Sequence, residues 1–447
     1  MDSTESRRSA AGHTELVPYD SDWNRATATH LLRRAGFAPD EASIQHALAA
    51  GLDATVDGLL DPPAESSRAA ELDALADEFA SRREIARLRE WWLLRMCYTH
   101  RPLHARMSLF WHNHFATSFV KVQSAPLMLR QLRLFERHAL RRFGDLLREV
   151  SRDPAMIIWL DGAANVKGRP NENFARELFE LFSLGVGHYS EADIRGAARA
   201  FSGWHERRGE FHFAASEHDD GEKTVLGQTG RFDGDDIVRL ALEQPAAARF
   251  VAGKLLREFV MPRPPQPLIE AVAARLRASD FDIRQTLRDV LRSQVFFAHE
   301  VYRARIKSPV EFAVGVVRSL HLRVPGPRLA EAVSQLGQRL FEPPTVKGWE
   351  GHRRWLNSAT MLVRLNAAAE ALNSTDDGKG FDTAGFLSRY RLDSPDAIIA
   401  FCGDLLLDGR VPDALSAQLR GLADTDLTSL LRRTLMLLLT SPEYQLA

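Results

Sequence analysis

Apolar residues along this chain recur at the three- and four-residue intervals of helices, from Trp23 almost to the C-terminus. A first helix over 23–36 stops at Gly36, a second over about 39–50 stops at Gly51, and a third runs to the prolines of Asp61-Pro62-Pro63. Between Arg83 and Thr99, Leu88, Trp91, Trp92 and Met96 form a broad apolar face. After Pro102, a helix from Leu103 to Trp111 turns Met107, Phe110 and Trp111 inward.

The pattern changes once. Glu210-Phe211-His212-Phe213 alternates with a period of two, and His218 to Lys223 supplies turn chemistry, so 205–234 is predicted to be a small β-hairpin or irregular insertion. Helices resume at Asp235, and the prolines at 262, 264, 265 and 267 form the clearest linker. Beyond them the spacing predicts helices at about 267–278, 282–296, 308–321, 326–339, 358–373, 396–407 and 426–440. The expected fold class is mostly α: a multi-helix globular body carrying that insertion. Its parts are a flexible N-terminus (1–22), a helical region (23–204), the insertion (205–234) and a second helical region (235–447), read as one continuous domain.

Composition narrows the function classes. With 58 basic against 59 acidic side chains the net charge is −1, which argues against a general nucleic-acid grip. No apolar run reaches the ~18 residues of a membrane span. No apolar run follows Arg7-Arg8, so the chain reads as cytoplasmic. Cys97 and Cys402, far apart in apolar contexts, read as reduced buried thiols. Of the 58 basic residues 51 are Arg and 7 are Lys, so each retained lysine points weakly to a position that needs a compact, rotatable ammonium.

Two segments stand out chemically. Phe110-Trp111-His112-Asn113-His114-Phe115 follows a helix, where two imidazoles and an amide suit metal binding or acid–base work, or else cap the helix and satisfy carbonyls. On a helix the two imidazoles would diverge by about 200°. Residues 168–185 form a well-punctuated helix on which Asn173, Glu177 and Glu180 share one face, while Glu172 and Arg176 are spaced to pair. Carboxylates on so apolar a helix need an arginine, a metal or a shared proton, which leaves an internal ion-pair network, a metal site and acid–base catalysis all open. A proline-started loop, Phe341 to Trp349, carries Lys347 and Trp349, and Asn357 is placed to cap the helix beginning near Ala359.

These segments, together with His30-Leu31-Leu32-Arg33-Arg34-Ala35-Gly36-Phe37 and Ile306-Lys307-Ser308-Pro309-Val310-Glu311-Phe312, resemble the bacterial family catalogued as domain of unknown function 1800 over nearly the whole chain. The resemblance implies a helical protein. It also implies a partner, an alkaline-phosphatase-like protein of the family catalogued as domain of unknown function 1501, and frequent export, from which this chain departs by lacking a signal.

The functional expectation is an enzyme, hydrolase-like and metal-assisted by a divalent ion, with His112, His114, Glu177 and Glu180 as catalytic groups and as the metal ligands. Asn113, Asn173, Arg176, Lys347, Trp349 and Asn357 would bind substrate. The alternative is a non-catalytic binding or assembly protein in which the same polar residues brace the interior.

Overall fold

The computed structural model describes residues 16–447 apart from 63, 374–380 and 423–425. Most of the N-terminal segment expected to be flexible, and Lys379, lie outside the described residues. Helices make up most of the described chain, and the sheets among the described residues are two antiparallel strand pairs. The protein is mostly α.

Local punctuation sets the helix ends. Asn24, Ser190, Asp233 and Ser308 each close a capping box, accepting a backbone N–H three residues on while that residue's side chain caps them in return. Gly51, at a φ of 83° and a ψ of 170°, breaks the helical run as the spacing predicted, so Glu41–Leu60 is two helices meeting at a kink. The Thr55 hydroxyl stitches that kink by donating to the Gly51 carbonyl at 2.6 Å.

The insertion is two hairpins. Strand β1 (Trp204–Arg207) pairs with β2 (Glu210–Phe213), and β3 (Lys223–Val225) with β4 (Gln228–Gly230). Both two-residue turns, Arg208-Gly209 and Leu226-Gly227, place both residues at positive φ, the twist that matches antiparallel strands.

The buried apolar side chains form two clusters. One gathers the 41–60 kink, the hairpin insertion and helices up to about 301, and the other joins residues 72–97 to the C-terminal helices. Helix Pro102–His114 lies between them. Its Leu103, Met107 and Trp111 enter the first cluster and its Ala105 and Leu109 the second. A helix gripped on two sides leaves one remaining face for polar work. Among the described residues no helix is long and apolar enough to cross a membrane.

Candidate functional site

The remaining face of Pro102–His114 presents Arg106, Leu109, Phe110 and Asn113, the i, i+3, i+4, i+7 set of one helical stripe, to a cleft of about 320 Å³. The opposite walls come from helix Pro245–Phe259, from residues 305–311 and from the loop 347–355. Trp349 and Trp355, both buried, form its aromatic side.

The helix runs through His114 rather than ending near Trp111, so His112 and His114 point to different neighbours. His112 Nε2 accepts the Phe341 N–H at 3.2 Å, which puts its proton on Nδ1, and the ring is wedged among Trp92, Phe341 and Trp349. His114 Nε2 donates to the Phe182 carbonyl at 3.1 Å, and its Nδ1 is a buried acceptor without a hydrogen-bond partner. Burial pulls His112 down to about 3. Burial, reinforced by Lys254, pulls His114 well below the ordinary range. Asn113 grips Trp349 at two points, accepting its N–H at 2.7 Å and donating to its carbonyl at 3.4 Å. The segment therefore works as a brace: His112 and Asn113 pin the two ends of the 341–349 loop, and His114 pins the turn at Phe182.

A neutral, buried histidine makes the fold acid-sensitive. Because the folded state holds His112 below its unfolded value, its contribution is complete above about 6.5 and is lost as pH falls below that. His112→Gln is expected to cost about 1–2 kcal/mol at pH 8. The gap to wild type should then narrow by up to about 1.4 kcal/mol per pH unit below 6.5. Urea denaturation across a pH series checks this, and a constant gap from pH 8 to 5 would contradict it.

The Asn/Glu helix also departs from regular spacing. It is α-helical over Asn173–Glu177 and π-helical over Leu178–Ser183 before Gly185 ends it at a φ of 82°. Asn173 is exposed. Arg176 pairs with Glu172 at 3.1 Å, as its spacing predicted, and also with Glu191 at 2.8 Å. Glu180 accepts the Tyr189 hydroxyl at 3.3 Å. Glu177, half-buried, is held above the usual carboxylate range by burial and then by Glu180, with Lys347 opposing. None of these four side chains lines the cleft. Among the described residues no three His, Cys, Asp or Glu side chains converge as a metal-ligand set, so the quartet of His112, His114, Glu177 and Glu180 does not assemble as one. Asn357 is a helix cap, accepting the Thr360 N–H at 2.9 Å.

A family model described as a protein of unknown function (DUF1800) matches residues 30–446. The chain belongs to this family. No curated protein and no solved structure matches it. Three of the stretches that carried the family resemblance meet at the cleft of this DUF1800 protein. Asn113 comes from the first, Ser308 and Glu311 from the lysine-serine-proline segment, and Lys347 and Trp349 from the loop.

The charges of the DUF1800 cleft fall into two sets. Arg106, almost fully buried, donates to Glu258 at 2.6 Å and to the Gly36 carbonyl at 2.8 Å, and lies 2.6 Å from Glu311. Arg305 adds a second guanidinium 3.1 Å from Glu311. These cations hold Glu311 well below the usual carboxylate range despite its burial. The third carboxylate, Glu350, is paired with Arg354. Lys254, Arg257 and Lys347 are then left, with no ion pair or hydrogen bond from their head groups among the described residues. Burial, with Arg257 close by, brings Lys254 down to about 8.

Of the ten sequence-derived site residues, Asn113, Lys347 and Trp349 line this cleft. Arg106, Lys254, Arg257 and Glu311 were missed. The stripe Arg106, Phe110, Asn113 was readable from helical spacing, and Lys254 from the scarcity of lysine.

Proposed function

We propose that this protein binds a small anionic molecule in the cleft between helix Pro102–His114, helix Pro245–Phe259 and the 347–355 loop. The observation that supports it is the charge balance: every carboxylate in the cleft is already matched by an arginine, while Lys254, Arg257 and Lys347 are unmatched. Cations converging in a concave, partly desolvated site attract negative charge more strongly than scattered surface ones. Trp349 and Trp355 supply a flat apolar wall for the rest of the ligand. In this reading the histidines and Asn113 hold the wall in place, and the ligand meets the three cations. A hydrolytic pairing of His114 with Glu177 is not part of the proposal, since His114 is committed to the Phe182 carbonyl.

Calorimetric titration with inorganic phosphate, pyrophosphate and citrate tests the proposal. Arg257 and Lys347 are exposed, so Arg257→Ala and Lys347→Ala should fold normally. Each is expected to weaken binding about tenfold to hundredfold, the loss of about 1.5–3 kcal/mol from one charge-assisted contact. Added salt should weaken binding further. Absence of binding by all three anions, or equal binding by the variants, would refute it.

A further inference from the structure

The seven lysines of this arginine-rich chain divide sharply by what their head groups do. Lys121 pairs with Asp161 at 2.8 Å, and Lys167 pairs with Asp220 at 2.6 Å. Lys223 donates to the carbonyls of Asp219, Gly221 and Phe232. Lys307, fully buried, sits 3.4 Å above the centre of the Tyr444 ring. Of the described lysines, the two that line the cleft, Lys254 and Lys347, have neither an ion pair nor a head-group hydrogen bond, and Lys254 has only the ring of Phe250 beside it.

They differ in setting. Lys347 is exposed, whereas Lys254 is partly buried on helix Pro245–Phe259. The Lys254 ammonium lies 5.2 Å from the centre of the Phe250 ring, Arg257 follows three residues on, and the buried imidazole of His114 is within electrostatic reach. Glu258, four residues on and in the same cleft, is held by Arg106. An amine held in an apolar wall beside another cation gives up its proton readily, and a neutral amine is a nucleophile. At pH 7.4 about a fifth of a lysine brought to about 8 is uncharged, against about a thousandth of one in water.

Resting on the anion-binding reading above, we propose that Lys254 condenses with the carbonyl group of a small carbonyl-bearing anion, a 2-oxo acid being the simplest, whose carboxylate is held by Arg257 and Lys347. The lone pair of Nζ forms a bond to the carbonyl carbon, and the carbonyl oxygen takes up a proton to give a carbinolamine. Nitrogen then loses its remaining proton as the hydroxyl leaves in water, so that amine and carbonyl become imine and one water. No oxidant or reductant is consumed.

Reductive trapping tests this on the full chain. Incubation with pyruvate and sodium cyanoborohydride is expected to add one carboxyethyl group, and peptide mapping to place it on Lys254 at least tenfold faster than on any other lysine. The rate should rise with pH through about 8, and lactate, which has the carboxylate but no carbonyl, should slow it. Lys254→Arg should remove the label, and mapping of wild type gives the assignment even if that variant fails to fold. Labelling spread over the exposed lysines, or concentrated on Lys347, would overturn the proposal. If calorimetry shows lactate binding that is weakened by Arg257→Ala while no imine is trapped at Lys254, the condensation falls and the anion site stands. If neither lactate nor pyruvate binds and nothing is trapped, the condensation falls; if phosphate, pyrophosphate and citrate also fail to bind, both readings fall.

Discussion

Glu311→Ala is expected to destabilise the protein by about 3–5 kcal/mol, the cost of leaving a buried charge without its partner. The side chain is 3% exposed and faces two guanidiniums, Arg106 at 2.6 Å and Arg305 at 3.1 Å. Its other oxygen accepts the Ser308 N–H at 2.8 Å and so closes the capping box of helix Pro309–Leu320. Removal strands Arg106, itself 2% exposed, with only Glu258 and the Gly36 carbonyl. Gly36 ends the first helix, Glu258 sits near the end of Pro245–Phe259, and Arg106 is on the helix between the two apolar clusters, so one guanidinium ties four chain segments together. Glu311→Gln keeps the cap and the shape and should cost less than the alanine. The folded state holds Glu311 below its ordinary value, so its contribution is present above about 4.5 and is lost as pH falls. Urea denaturation at pH 7 measures the effect as a shift of midpoint at constant slope. A loss below about 1 kcal/mol, the range of an exposed ion pair, would show that the network does not brace the cleft.

Gly348→Ala is the second large effect. Gly348 has a φ of 79°, and a Cβ there would land inside the carboxamide and the backbone carbonyl of Asn113. The left-handed conformation alone costs a non-glycine residue about 1–2 kcal/mol. The clash adds to it because neither Asn113 group can yield: the carbonyl is helical backbone, and the carboxamide is bound to Trp349 at both ends. Gly351, in the same loop at a φ of 71° and a ψ of −161°, a region nearly reserved for glycine, meets only Trp355 Nε1 at 3.4 Å and so carries backbone strain without a clash. Gly351→Ala should cost the conformational term, and Gly348→Ala about 3 kcal/mol or more. Gly348→Ala should also weaken pyrophosphate binding about tenfold, since Lys347 and Trp349 flank the displaced residue. A cost for Gly348→Ala of no more than about 2 kcal/mol, read by thermal and urea unfolding, would mean that Asn113 does not hold the loop.

Much of the architecture was legible before any coordinates. The predicted helices at 358–373, 396–407 and 426–440 correspond to Ser358–Asn373, Pro395–Leu407 and Leu427–Thr440. The alternation at 210–213 is strand β2. One departure lies in the Asn/Glu helix. The even strip of Asn173, Glu177 and Glu180 is interrupted because the helix widens into a π turn, whose Phe182 carbonyl is taken by His114, far away in sequence. The candidate site was half legible. Asn113, Lys347 and Trp349 were singled out from residue type and setting, but the polar and aromatic density of the His-Asn-His segment reflected buried hydrogen bonds rather than exposed chemistry.

By itself the sequence determined the mostly helical class, the helix ends and the hairpins, because caps, glycine turns and apolar spacing act within a few residues and need no distant partner. Only the tertiary structure decided which charges neutralise one another. Arg106, Glu258, Arg305 and Glu311 come from three distant stretches of chain, and their pairing follows from how the helices pack. The same packing leaves Lys254, Arg257 and Lys347 without an ion pair, and burial, which no local pattern encodes, brings the first of them down to about 8.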